Sequence, residues 1–137
     1  MIAIIRIKGK VDINGDVEET LERLRVRRKY ACVVLRENKT LEGMIKKVRD
    51  FVAYGSIDKE TLVELIKQRG QSTGGKIDAA KIAEEFLTKT NKKLADLGIK
   101  PFFRLHPPRG GIKSKLHYPK GVLGENKKIN ELIRRML

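Results

Sequence analysis

His106 and His117 are the two histidines of this 137-residue chain, and both lie among cations near its C-terminal end. Two imidazoles in a basic setting have the residue types for general acid and base work on a phosphodiester. A base of that kind needs a partner that orients its ring, and the segment around both histidines, Pro101–Gly124, contains no Asp or Glu. A metal centre is no better supplied, because Cys32 is distant in sequence and no carboxylate lies nearby. Stacking on a base or bonding to a phosphate is the reading the residues favour. A second chemical pattern, Gly70 to Lys76, satisfies the spacing G-x-x-x-x-G-K. A nucleotide loop needs a strand before it and a Ser or Thr hydroxyl after the lysine to hold magnesium. Here a helical pattern precedes it and Ile77 stands at the hydroxyl position, so nucleotide binding is disfavoured. The residues call for no cofactor and no metal.

What remains is a surface of unusual charge. The run Pro101–Gly124 holds Arg104, Arg109, Lys113, Lys115 and Lys120 with all four prolines of the chain and four of its twelve glycines. Pro107 and Pro108 stiffen the backbone, whereas Gly110 and Gly111 let the main chain approach a surface closely with either sign of φ. Arg109 sits between them. A second cluster, Arg23 to Lys29, has five basic residues in seven. Net charge is +14, divided as +5 over residues 1–57, +1 over 58–99 and +8 over 100–137. Such a field points to a nucleic acid or an anionic membrane. No apolar run approaches the ~20 residues of a spanning helix. Arg6 and Lys8 interrupt the apolar start, and no small-residue cleavage site follows. A lone Cys32 fits a reducing compartment, so a cytoplasmic protein is expected.

The elements that must position these cations follow from periodicity. Residues 2–8 are β-branched and read as a strand, Ala31 to Leu35 as a strand covered on both faces, and Val52 to Tyr54 as a third. Val17, Leu21 and Leu24 mark a first amphipathic helix, with Asp16 as its expected N-cap and the Arg23–Lys29 cluster as its C-terminal end. Leu41, Met44, Ile45, Val48 and Phe51 mark a second, capped by Asn38 or Thr40. Asp58 starts a third helix that stops at Gly70, and Asp78 caps a fourth. The chain closes with a short helix through Ile129, Leu132, Ile133 and Met136. Phe51, Phe86, Phe103 and Leu105 are expected in the core. Tyr118 is the aromatic best suited to touch RNA.

Four ordered blocks resemble a known family: Phe103 to Gly111, Ile129 to Met136, Asn38 to Val48 and Val63 to Gly70. They are similar to the universal large-subunit ribosomal protein number thirty in its archaeal form, whose blocks the eukaryotic large-subunit protein number seven shares. The resemblance covers nearly the whole chain, is weakest over Gln71–Lys100, and matches Gly111–Gly124 in character more than in letter.

It implies an α+β fold: a β-α-β-α-β core over residues 1–57, with a three-stranded, largely antiparallel sheet and two helices on one face. Residues 58–137 would be a mostly helical archaeal-type extension, with helices over 59–69 and 78–97, a basic RNA-contacting segment over 101–124 and a C-terminal helix over 126–136. It also implies a structural constituent of the large ribosomal subunit, bound to large-subunit ribosomal RNA and without catalytic activity. The small ribosomal RNA of the subunit and neighbouring ribosomal proteins stay open as further partners. The expected RNA-contacting set is Lys8, Lys10, Arg25, Arg27, Arg28, Lys29, Arg36, Asn38, Lys39, Arg104, His106, Arg109, Gly110, Gly111, Lys113, Lys115, His117, Tyr118 and Lys120. The Lys8–Lys10 loop, the Arg23–Lys29 edge and the Arg36–Lys39 turn are expected to meet phosphates from one end. The rival readings are an RNA-processing nuclease using His106 and His117, and a non-ribosomal nucleic-acid-binding protein. High Lys, Glu, Arg and Ile content suits a thermophile.

Overall fold

Three strands build the centre of the molecule: the β-branched, apolar runs β1 (Ile2–Arg6) and β2 (Ala31–Leu35), and β3 (Val52–Ser56), apolar at its start. The structure is a computed structural model that describes residues 1–9, 13–72, 76, 78–89, 94–112, 114 and 116–137. β1 lies between β2 and β3 and is antiparallel to both, with Ile5 opposite Cys32 and Ala53. Helices α1 (Gly15–Arg23) and α2 (Lys39–Val48) cover one face, where Ile4, Val33 and Val52 meet Leu21, Leu41, Ile45 and Val48. This much is the expected core.

Among the described residues the sheet has five strands, not three. Two short strands from beyond residue 57, β4 (Phe103–Arg104) and β5 (Gly124–Glu125), extend it at both edges to the order β4-β2-β1-β3-β5. β4 pairs antiparallel with β2, and β5 parallel with β3. Each is two residues long, too short to leave a periodic signal in the sequence. They cover Ala31 and Cys32 on one edge and Ala53 and Tyr54 on the other, and leave as outer edges only two short strands, which blunts edge-to-edge pairing.

The second face is covered by α3 (Lys59–Arg69), α4 (Ala79–Thr88) and α5 (Ile129–Met136). Ala3, Ile5, Cys32 and Val34 pack there against Leu62, Leu65, Phe86, Ile133 and Met136. Successive side chains of a strand point to opposite faces, so a sheet covered on both sides makes Ile4 and Ile5 equally buried. That is why β1 and β2 read as continuous apolar runs.

Several boundaries differ from expectation. Asn14, not Asp16, caps α1: its Oδ1 accepts from the Asp16 amide at 3.1 Å, and the helix begins at Gly15. Asn38 caps α2 through the Leu41 amide at 2.7 Å. α4 ends at Thr88, and residues 94–97 form a separate 3-10 turn. α5 begins at Ile129, since Asn126 turns back to receive the Lys128 amide at 2.8 Å. β3 runs on to Ser56, because glycine at position 55 leaves room for the Asn126 carbonyl and the Ile129 side chain. Phe51 is half-buried, with the Lys8 ammonium 6.0 Å from its ring centre.

Candidate nucleic-acid interface

Strand direction decides which loops meet. Arg6 ends β1 beside Val52, the first residue of β3, while Ala31 starts β2 opposite Arg104 and Gly124 starts β5 beside Ala53. The connections 7–14, 24–30, 49–51, 105–111 and 112–123 therefore all open from one end of the sheet. Lys8, Arg25, Arg27, Arg28, Lys29, Arg104, His106, Arg109, Gly110, Gly111, His117, Tyr118 and Lys120 are gathered there. Lys10, Lys113 and Lys115 lie outside the described residues, as do residues 73–75 of the Gly70–Lys76 pattern.

Arg36, Asn38 and Lys39 are at the opposite end, where Leu35 pairs with Ile2. They do not share an end with Lys8 and the Arg23–Lys29 cluster, as the sequence reading had it. Two of them hold the fold. Arg36 donates to the carbonyls of Phe86 and Lys89 and lies 4.8 Å over the Phe86 ring, satisfying the orphan carbonyls at the end of α4. Asn38 is spent on its cap.

The Arg23–Lys29 cluster is not a helix end. Only Arg23 is helical; Arg25 has φ 65° and closes a Schellman turn, its amide donating to Glu22 O and the Val26 amide to Leu21 O, both at 3.0 Å. Glycine is the usual residue at that position. A side chain there costs about 1–2 kcal/mol, and the Arg25 guanidinium makes no hydrogen bond or ion pair among the described residues to offset it. Val26 is fully buried beneath the turn and leaves Arg25, Arg27 and Arg28 exposed.

Arg6 fixes this loop. Its side chain is 1% exposed and surrounded by carbonyls: Nη1 donates to Val26 O at 3.0 Å and Arg27 O at 2.7 Å, Nε to Lys8 O at 2.9 Å and Nη2 to Gly9 O at 3.3 Å. Burial lowers its pKa, opposed by the charge of Glu18. One guanidinium thus ties the loop after β1 to the loop before β2, using its fork of donors. The tie continues sideways, since the Tyr30 amide donates to Arg6 O at 2.7 Å and the Leu105 amide to Tyr30 O at 3.1 Å.

The result is a cleft of about 730 Å³ between loop 24–30 and β4. It joins Arg25, Arg27, Arg28 and Lys29 to Arg104, Phe102 and Tyr30, two parts of the chain that are far apart in sequence. Beyond it the Pro107–Gly111 segment is shaped by α5. Arg109 N donates to Arg135 O at 3.0 Å, and the Arg135 guanidinium returns to Arg109 O at 2.9 Å and to Gly111 O. Gly110 and Gly111 both have positive φ, at 80° and 72°, which explains the glycine pair as a requirement of shape. Arg109 is turned outward.

His117 corrects the sequence reading that no acid orients it. Asp50, in the turn before β3, lies 2.7 Å from its Nε2. No local pattern could reveal a partner 67 residues away. The other ring nitrogen faces the backbone of Gly124, where a Cβ would stand 2.8 Å from Nδ1. The Asp50 contact ties His117 to the turn before β3, with the ring half exposed. Phe103 and Leu105 are buried as expected, and Tyr118 is half-buried.

A rigid three-layer body that turns one cation-rich end outward has the make-up of a polyanion-binding scaffold. Comparison with known proteins places it more closely. Residues 2–52 match the family model described as ribosomal protein L30p/L7e. Large ribosomal subunit protein uL30 of Methanococcus vannielii is 42% identical, over 98% of each chain. Its counterparts in Archaeoglobus fulgidus and Hyperthermus butylicus are 39% and 42% identical, covering 99% and 100% of this chain and 99% and 90% of their own. The chain belongs to the ribosomal protein L30p/L7e family.

Proposed function

We propose that this protein is a structural constituent of the large ribosomal subunit and holds large-subunit ribosomal RNA through the loop end of its sheet. It is not an enzyme. As a part of the ribosome it works in the cytoplasm, with ribosomal RNA and neighbouring ribosomal proteins as its partners. The observation that carries the RNA-facing assignment is the convergence of Arg25, Arg27, Arg28, Lys29, Arg104 and Arg109 on one end, on loops held in place by Arg6 and Arg135. Residues 1–57 and 58–137 act together in this reading, because β4 supplies Arg104 to a cleft whose other wall belongs to the core.

Lysine and arginine on fixed loops replace condensed counterions along the phosphate chain, which gives affinity without reading bases. Specificity comes from shape, since only an RNA surface that follows this end of the sheet meets all the cations at once. The test is the affinity of the intact chain for large-subunit RNA as salt is varied. If ~6–10 phosphates are neutralised, affinity falls by roughly 10³–10⁵ between 50 and 200 mM salt. Replacing Arg27, Arg28 and Arg104 by glutamine should flatten that dependence by about one unit of slope per contact. An unchanged slope in the triple variant would remove this end from the interface. The same replacement of Lys59 and Lys89, at the opposite end of the sheet, should leave the slope as it is.

A further inference from the structure

The cleft between loop 24–30 and β4 has features that contact with a phosphate backbone alone does not call for. It is concave, within the size range of small-molecule sites. Two aromatic rings line it, Phe102 and Tyr30, and each carries a cation over a face: Arg104 at 5.8 Å and Lys29 at 5.1 Å. A planar guanidinium resting on a ring is a platform on which a third flat group can stack. Among the cations stands one carboxylate, Glu22, which takes no hydrogen bond or ion pair among the described residues. An acid repels phosphate but accepts from the N–H edge of a base.

Backbone strain gathers in the same place. Arg25 and Tyr30, at φ 65° and 67°, are the non-glycine residues with positive φ among those described, and both line this cleft. Strain of this kind persists where the surroundings over-determine it, and it concentrates at ligand sites. The hydrogen bonds from Tyr30 N to Arg6 O and from Leu105 N to Tyr30 O do that here.

Building on the RNA-binding reading, we infer that this cleft receives a single unpaired nucleotide projecting from the RNA. Its base stacks on the Arg104–Phe102 pair, its phosphate meets Arg27 and Arg28, and Glu22 accepts from its edge. Guanine fits best, because its N1–H and N2–H lie side by side and match the two oxygens of a carboxylate. No nucleotide is cleaved or altered.

The test uses the intact chain at fixed salt with three RNA hairpins that differ only at one position: an unpaired guanosine, an unpaired uridine, or none. Large-subunit ribosomal RNA is the fourth arm. The unpaired guanosine should bind roughly tenfold or more above the hairpin without it, the scale of one stacked base. Arg104→Lys keeps the charge without the plane, and Phe102→Leu keeps the packing without the ring. Both should lose that preference, with a native thermal transition showing the fold intact. Glu22→Gln should bring guanosine and uridine level. Equal binding of all three hairpins beside firm binding of ribosomal RNA overturns the inference and leaves the ribosomal reading standing. A guanosine preference that survives both Arg104→Lys and Phe102→Leu also overturns it. Failure to bind any of the four RNAs overturns both readings.

Discussion

Arg25→Gly separates the demands of folding from those of binding at a single residue. Arg25 holds the left-handed position of the turn that ends α1, with φ 65°, where a side chain costs about 1–2 kcal/mol. Glycine removes that cost but adds conformational freedom to the unfolded chain, worth about 0.5–1 kcal/mol. The balance is a gain of roughly 0.5–1 kcal/mol, which for a domain of this size raises Tm by about 2–4 °C. The same change deletes one outward cation from the loop. The slope of log K against log salt for large-subunit RNA should then become shallower by about 0.7–0.9. Stability and affinity thus move in opposite directions. Arg25→Ala is the control, because it keeps the strain and loses the charge: affinity falls alike and Tm does not rise. Calorimetry and filter binding at four salt concentrations read both effects. If Arg25→Gly lowers Tm, or if its salt slope matches that of the wild type, the account of this loop as strained for the sake of its cation is wrong.

Arg6→Met should destabilise by roughly 2–4 kcal/mol in urea unfolding, because buried carbonyls lose their donor, with Arg6→Lys recovering less than half. A loss below 1 kcal/mol would show that water replaces the guanidinium at no penalty. Hydrogen bonding to Thr61, whose amide donates to Asp58 Oδ1 at 2.9 Å, holds the Asp58 carboxyl below its ordinary value of 3.8. A depressed folded pKa contributes stability that is complete above the unfolded value and lost as pH falls through the folded one. Thermal stability should therefore drop below about pH 4 in the wild type. Asp58→Asn, which keeps the cap without the titration, should show a shallower drop, and parallel acid limbs would contradict this. Burial alone pushes the Cys32 thiol up to about 12, so a disulfide reagent at pH 8 should modify it only in denaturant. Rapid native-state labelling would mean that the sheet opens far more often than its packing allows.

Periodicity revealed the core because each early element buries its own stripe. Val17, Leu21 and Leu24 mark one helix and Leu41, Ile45 and Val48 another, and the continuous run 31–35 announces a strand covered twice. β4 and β5 escaped notice because two residues carry no period; they exist only because edges of β2 and β3 stand ready to pair. The cations were visible as clusters, but not their division of labour. Arg6, Arg36 and Arg135 carry the same side chain as Arg27 and Arg104, yet they hold backbone carbonyls inside the protein. What distinguishes them is contact across 20 to 53 residues, which charge counting does not register. His117 was misjudged for the same reason: its acid comes from Asp50, outside the acid-free run. Glu22 carries no signal of its own in the sequence, and only the fold brings it into one cleft with Phe102 and Arg104.

The central claim is tested most directly by sedimentation of the tagged, intact protein from cell lysate through a sucrose gradient. The account predicts that it travels with large subunits and whole ribosomes, is absent from free small subunits, and is released when the RNA is digested. Tagged protein left at the top of a gradient in which other large-subunit proteins sediment normally would contradict it.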